Sequence, residues 1–595
     1  MSPLTTLVRP FRPRCALAGL AAMLVVATGR IAAQDPTLPV PGGLTTYVLQ
    51  GAGNAAAYDE AVAASTVQGV LNRDAPQVYL FSAHNPRPQY WWDRFSRPGG
   101  WLASRRPVPA ANLDELVRRA GSKLKGAVIW DPAVPATVNV ATTVAGVRDA
   151  IVLSPELAAQ YLARWRLPVI EDLRGRFTGA ETGSPKNDAY RWAVRELLAK
   201  GLCSSRFLCL FHDAYGLRES GQVGYAVTRD WAVRNRAFVF DLSPWGDERP
   251  ADDPGQRLGL DLETYRLILA ETRRWSGGRY LTELTGFFSF EKYSHFGGHA
   301  SAHEPVPTEW ETVHLISPYL VYQNTSTSDC YNQSLHSQAP RAPLRQVAPA
   351  PLTATKGKTY LCLYMADYDS AYVLYDYLPK FWDDPNRGQV PLAWGINPNL
   401  RDTYPDVVAH YYATMTPADT ITADAGAAGY INPTRIAPAD LPAFVRHNRA
   451  YFQEADLAFA PMVLDWAEPT PAVKDAFQAF APKGMGSMVW DMHTNTGHGP
   501  TPHVWRGMPV LNLLNQANEF PGPERTADII ATAIAENSGG LKGFYMFRIV
   551  WTSPTQILEM LAVLRTRHPE IDFEVLDIGT FYRLAGERLA AGPAS

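Results

Sequence analysis

Beyond about residue 355 the chain alternates apolar runs of strand length with helix-like segments, and this alternation restricts it to a parallel α/β architecture. The apolar runs are "TYLCLYM", "VPLAWGI", "DTITAD", "DLAFAPMVL", "GMGSMVW", "GMPVLNL", "GFYMFRIV" and "DFEVLDI". Between most of them lie amphipathic stretches such as "LPAFVRHNRAYFQEA", "RTADIIATAIAE" and "SPTQILEMLAVLRTR". Parallel strands covered on both faces read as continuous apolar runs rather than alternating ones. Eight of them predict a (β/α) barrel or a close variant over residues 355–590, with a seven-stranded or irregular barrel as the alternative. The last of these helices carries its own start signal, with Ser553 as N-cap, Pro554 at the first position and Gln556 closing a capping box.

The N-terminal half follows a looser version of the same rule. "YDEAVAASTVQGVLNR", "LDELVRRAG" and "ATTVAGVRD" read as helices between the strands "PQVYLF", "GAVIWD" and "AIVLS". A second set follows, with strands "RFLCLF" and "AFVFDLS" and helix "LETYRLILAETRRW". The fold class is therefore α/β: N-terminal α/β layer domains at 34–180 and 181–354, then the C-terminal barrel-like domain. The Pro/Ala-rich stretch "QAPRAPLRQVAPAPLTATKGK" marks the boundary near 355.

Residues 1–33 have the form of an export signal. Arg9, Arg12 and Arg14 precede the apolar run Cys15 to Thr28, and Ala32-Ala33 supply small residues before Gln34. That run is shorter than the roughly 20 residues a membrane helix needs, so a secreted or periplasmic address is expected, with no stable span after cleavage. Four sparse cysteines remain, of which Cys203 and Cys209 are close enough in sequence to pair or to stay as buried thiols. The formal charge of −3 gives no electrostatic reason to expect nucleic acid as a partner. The oligomeric state is not encoded in any recognisable signal.

In a barrel the chemistry sits where strands run into their following loops. Those positions hold Asp367, Asp369, Trp394, Asp424, Asp465, Trp466, Asp491, His493, Arg548 and Trp551. Asp465 and Asp577 are also natural helix caps. Trp394, Trp466 and Trp551 have no capping role, and Trp beside Asp suits sugars, whose apolar faces stack on indole while carboxylates bind hydroxyls or act as acid and base. Glycoside hydrolysis needs two carboxyl groups across the scissile bond. The candidate catalytic residues are Asp367, Asp369, Asp491 and Asp465. The candidate substrate-binding residues are Trp394, Asp424, Gly429, Tyr430, Trp466, His493, Arg548 and Trp551. No metal and no cofactor is assigned.

The segment "AAGYINP", Ala427 to Pro433, resembles the signature of the GxGYxYP family of putative glycoside hydrolases. "YMADYDSAY" is similar to that family's Asp-Gly-Asp-Asn strand end, with Asp367 and Asp369 in the acidic positions. "PLAWGINPNLRDTYPDVVAHYY", "STVQGVLNRDAPQVYL", "NVATTVAGVRDA" and "RNRAFVFDLSPWGDERPADDPGQRLGLD" resemble further family segments, so the resemblance spans nearly the whole mature chain. It implies carbohydrate chemistry. Ala427 replaces the first signature glycine and Asn432 the second tyrosine, while Tyr368 and Ser370 replace the Gly and Asn of the acidic motif.

Two other classes compete. A metal-dependent esterase or deacetylase would pair Asp367 or Asp369 with imidazoles, drawn from His295, His299 and His303 or from His493, His498 and His503. A non-catalytic carbohydrate-binding protein would use the same aromatics without cleaving anything. A nucleotide-binding module lacks its glycine-rich phosphate loop.

Overall fold

Among the described residues all strand pairs are parallel except two, those of Gly484–Asp491 with Thr496–His498 and of His503–Trp505 with Met508–Asn512, as continuous apolar runs require, and the strands fall into five sheets. The computed structural model describes residues 42–293, 303, 305–325, 328–347, 352–366, 368, 370–491, 496–517 and 520–592. In the N-terminal half, Gly43–Leu49 lies between Val78–Ser82 and Arg106–Pro109, and Gly126–Ile129 between Ala150–Leu153 and Val169–Asp172. A third sheet runs in the order Val321–Asn324, Thr282–Gly286, Phe207–Leu210, Phe238–Phe240. The helix Ala55–Leu71, capped by Asn54, is buried along most of its length. All four described cysteines are free thiols, so Cys203 and Cys209 do not pair.

The C-terminal part is built on Thr359–Met365, whose seven residues are all covered apart from the first. Phe544–Ile549 pairs with it along its length. Leu392–Gly395 meets it only at Tyr364 and Met365, and Asp419–Thr422 continues that sheet. A second parallel sheet holds Phe459–Asp465, Gly484–Asp491 and Met508–Asn512.

Among the described residues the expected barrel is not a closed sheet. The two sheets meet on one side through a lone parallel bridge, Leu514 to Phe547, with Leu514 N donating to Met546 O at 2.9 Å. On the other side Thr422 Oγ1 donates to Phe459 O (3.1 Å) and Gly426 N to Met462 O (3.0 Å). Regular pairing is interrupted at this junction because Pro461 has no N–H, and the register on its other flank shifts between Ala460 and Val463. The eighth expected strand, Phe573–Val575, pairs with Thr359–Leu361 at the start of the central strand instead of extending the series. The Gly/Pro-rich stretch after Asp491 contains the short antiparallel strands Thr496–His498 and His503–Trp505.

Helix starts follow the sequence closely. Ser553 and Gln556 form the reciprocal capping box, and Asp577 accepts from Thr580 N at 2.8 Å. Asp465 is not a cap: the next helix, Pro471–Gln478, starts from Thr470. The expected boundary near 355 is crossed by direct hydrogen bonds, including Ala371 N to Asn324 Oδ1 at 3.0 Å, and Pro39–Ser595 is one compact unit. No helix among the described residues is long and apolar enough to cross a membrane.

Candidate functional site

The loop following Asp419–Thr422 is held from three directions. Asp424 is fully buried; its amide donates to Asn397 Oδ1 (2.8 Å), and Asn397 Nδ2 donates to Ala425 O (3.0 Å). Asp424 Oδ2 accepts from the amide of Tyr368 at 3.0 Å. The third strand's carboxylate thus grips the acidic strand end of the first. Farther on, Tyr430 and Gln323 exchange backbone hydrogen bonds of 3.0 and 2.8 Å, an antiparallel bridge to the edge strand of the N-terminal half.

Gly429 has φ +103°, and a β-carbon there would stand 2.0 Å from the Tyr322 ring. Glycine is needed at this point both for the positive φ and for an internal neighbour, the Tyr322 ring. The Tyr430 ring also turns inward, 2 % exposed and edge-on to Trp310 at 6.3 Å.

Asp465 is buried and committed to this loop as well. Its oxygens accept from Thr434 N (2.8 Å), Thr434 Oγ1 (2.7 Å) and Trp466 N (2.7 Å). Burial pushes its carboxyl above the usual range, and the Thr434 contacts pull the other way. Beside it the half-buried Trp466 ring stacks on His314, centroids 4.0 Å apart. Burial and, second, the nearby Arg435 push His314 down to about 4, so it is neutral at physiological pH. Glu311 on the same helix, Pro305–Ile316, is raised by burial. Trp310 and His314 stand four residues apart on one face of that helix. Trp310, Glu311 and His314 fall outside the strand-end pattern, and their signal in the sequence is the i, i+4 aromatic pair in "EWETVHLI".

Trp551 is the large indole that faces solvent at a strand end. It is 44 % exposed, has φ +55°, and stands edge-on to Tyr377 at 4.9 Å and to Tyr368 at 6.4 Å. Arg548, half-buried on the preceding strand, donates to Asn515 Oδ1 at 3.1 Å. Trp394 is different from expectation: it is fully buried, donates to Asp419 Oδ1 (2.9 Å) and packs against Trp382 at 5.2 Å, which makes it a core residue with no face for a sugar. Asp367, Asp369 and His493 lie outside the described residues, as do His295 and His299. Asp491 ends the strand Gly484–Asp491, pairing with Thr496. His303 stacks on Trp245 at 3.5 Å and contacts Asp247. Among the described residues no three His, Cys, Asp or Glu side chains are grouped to hold a metal ion.

The profile named GxGYxYP putative glycoside hydrolase C-terminal domain matches residues 357–585, and GxGYxYP_N second domain matches 124–202. The chain belongs to the GxGYxYP family. Among solved structures it is similar to a putative hydrolase from Bacteroides thetaiotaomicron, with TM-score 0.67 and 17% identity over 94% of this chain and 99% of that one. That likeness concerns the fold. A putative polysaccharide deacetylase from Mycobacterium smegmatis aligns with TM-score 0.28 and 11% identity, over 41% of this chain and 96% of that one, and carries no argument. No curated protein matches.

The two departures from the GxGYxYP signature have different structural meanings. Ala427, at the first glycine, has φ +147°, a region that favours glycine, and its methyl group is fully buried. Asn432, at the second tyrosine, is also buried; its Nδ2 donates to Leu464 O (3.0 Å), and its amide to Ser317 Oγ (2.9 Å). A side chain that makes polar links between the loop and the fourth strand thus stands where other members of the GxGYxYP family carry a ring.

Proposed function

We propose that this GxGYxYP protein is an exported glycoside hydrolase that cleaves by carboxylate acid/base chemistry at the C-terminal ends of a seven-stranded, open barrel-like arrangement. The observation that carries this reading is the hydrogen bond from Tyr368 N to Asp424, which ties the acidic strand end to the signature loop next to the exposed Trp551. Two of the strand-end carboxylates, Asp424 and Asp465, are spent on backbone groups of neighbouring loops. The acid and base are therefore assigned to Asp367, Asp369 and Asp491, with Trp551 as the stacking platform and Arg548 as a donor to sugar hydroxyls. The lone export-signal form of residues 1–33 supports the address.

The test is a panel of oligosaccharides and polysaccharides incubated with the mature chain, with released sugars read by mass. Release that is lost in D367N, D369N or D491N, with folding unchanged, supports the assignment. Binding without release from any glycan would replace it with a carbohydrate-binding role, and a chelator that abolishes release would replace it with metal-dependent hydrolysis.

A further inference from the structure

Away from the strand ends, a groove of about 430 Å³ is lined by four guanidinium groups, those of Arg206, Arg279, Arg341 and Arg446. Arg206 and Arg279 precede the strands Phe207–Leu210 and Thr282–Gly286, and Arg446 projects from the helix Leu441–Glu454. Two carboxylates share the groove, Asp402 and Glu454, and both are already occupied. Arg341 pairs with Asp402 and, at 3.5 Å, with Glu454, which Arg401 also meets at 3.0 Å.

Among the described residues, no carboxylate lies within ion-pair distance of Arg206, Arg279 or Arg446. Some exposed arginines of this chain have such partners, as Arg195 has Glu181 and Arg257 has Glu263, and others such as Arg148 and Arg166 have none among the described residues; what sets this groove apart is that four guanidinium groups line one depression. The unpaired three are nevertheless held in place. Arg206 lies over the Tyr280 ring at 4.0 Å, Arg279 Nε donates to Ser276 O at 3.0 Å, and Arg446 Nη2 donates to Arg279 O at 3.3 Å. Clustered, positioned guanidinium forks without internal counter-ions are what a planar or tetrahedral oxyanion requires. An adjoining depression of about 510 Å³ adds Arg345 and Arg401 and shares Arg341, so the positive surface extends over more than one sugar unit.

The groove also touches the signature loop. His447 lines it, and its Nε2–H donates to Ala428 O at 2.8 Å.

We propose that this groove binds the acidic group of an oligosaccharide, a uronate carboxylate or a sulfate ester, at a site separate from the strand-end carboxylates. The choice of a sugar as carrier rests on the proposed function; the anion specificity rests on the groove alone.

The full mature chain is titrated calorimetrically with trigalacturonate, a sulfated chondroitin disaccharide, neutral maltotriose and inorganic sulfate, at low and high salt. The expected result is that an acidic sugar binds at least about tenfold more tightly than maltotriose and than inorganic sulfate, with affinity falling as salt rises. R279Q/R446Q, and independently R206Q, remove that preference while the melting temperature stays unchanged. Equal affinity for neutral and acidic sugars overturns the proposal, as does unchanged binding in both variants. Inorganic sulfate bound as tightly as the sugars reduces the groove to a simple anion site and overturns the carbohydrate part. Acidic sugars bound at the groove with no glycan ever cleaved would support this inference and remove the hydrolase reading, so the two fail separately.

Discussion

A β-carbon on Gly429 would collide with the Tyr322 ring, whereas Ala427 already carries a β-carbon at a positive φ of +147°. The two positions should therefore respond differently. Ala427→Gly relieves backbone strain of about 1–3 kcal/mol against about 1 kcal/mol for the buried methyl group and about 1 kcal/mol or less of chain entropy, so the urea midpoint is expected to change by no more than the equivalent of about 1 kcal/mol. Gly429→Ala should cost about 3 kcal/mol or more, and Tyr322→Ala in the same chain should recover part of it; no recovery would mean that φ, not the ring, is the constraint. Trp551→Ala is expected to leave stability within about 0.5 kcal/mol and, once a substrate is known, to raise KM by about tenfold with kcat little changed. The signature residues were legible as a motif, but their inward direction was not. Nothing local in "AAGYINP" announces that Tyr322, more than a hundred positions earlier, occupies the space beside Gly429. Trp394 misled for a related reason, since an indole at a strand end looks alike in sequence whether it meets solvent or Asp419.

At the level of elements, short-range signals carried furthest. The capping box at Ser553 and the N-cap at Asp577 depend only on residues within one turn, and both formed as read. Ser553→Ala should accordingly cost about 1 kcal/mol in the denaturation midpoint. Strand existence was also readable, because an apolar run needs no partner to be recognised. Strand order was not: Phe573–Val575 has the composition of an eighth barrel strand but pairs beside the first half of Thr359–Met365. Sheet closure failed to follow from the count because it depends on every junction, and Pro461 interrupts one of them. The helix Pro305–Ile316 shows the converse case. Its Trp310 and His314 border the site from a helix that lies outside the strand-and-helix alternation of the sequence.

Across the whole molecule, acid sensitivity should be marked. His314, His410 and His447 are each pushed down to about 4, burial being the first cause in every case. In the unfolded chain such groups titrate near 6.5. The folded state therefore binds fewer protons, so this stability is fully present above pH 6.5 and is lost as pH falls through 4. Asp213 and Asp230, each pushed up to about 6 with burial as the first cause, act in the opposite sense over part of that range. The histidine share is thus read as a difference: His447→Gln should flatten the decline of the urea midpoint between pH 6.5 and 4 relative to the parent, and parallel curves would show that His447 does not contribute. The bulk charge of −3 concealed a second whole-molecule property, since six arginines line two adjoining depressions on one face.

The antiparallel bridge between Tyr430 and Gln323 makes one half of the polypeptide a mould for the other. Residues 355–595 produced alone would keep their parallel strands but lose the surface against which the loop from Asp424 to Ile436 is cast. Amide exchange in that loop should then rise toward that of an unrestrained peptide, and adding back residues 34–354 in trans should slow it again. A minimal version with its signature loop intact cannot be reached by trimming this protein at its proline-rich stretch, and any graft of the signature into another scaffold has to bring Tyr322 and Gln323 with it.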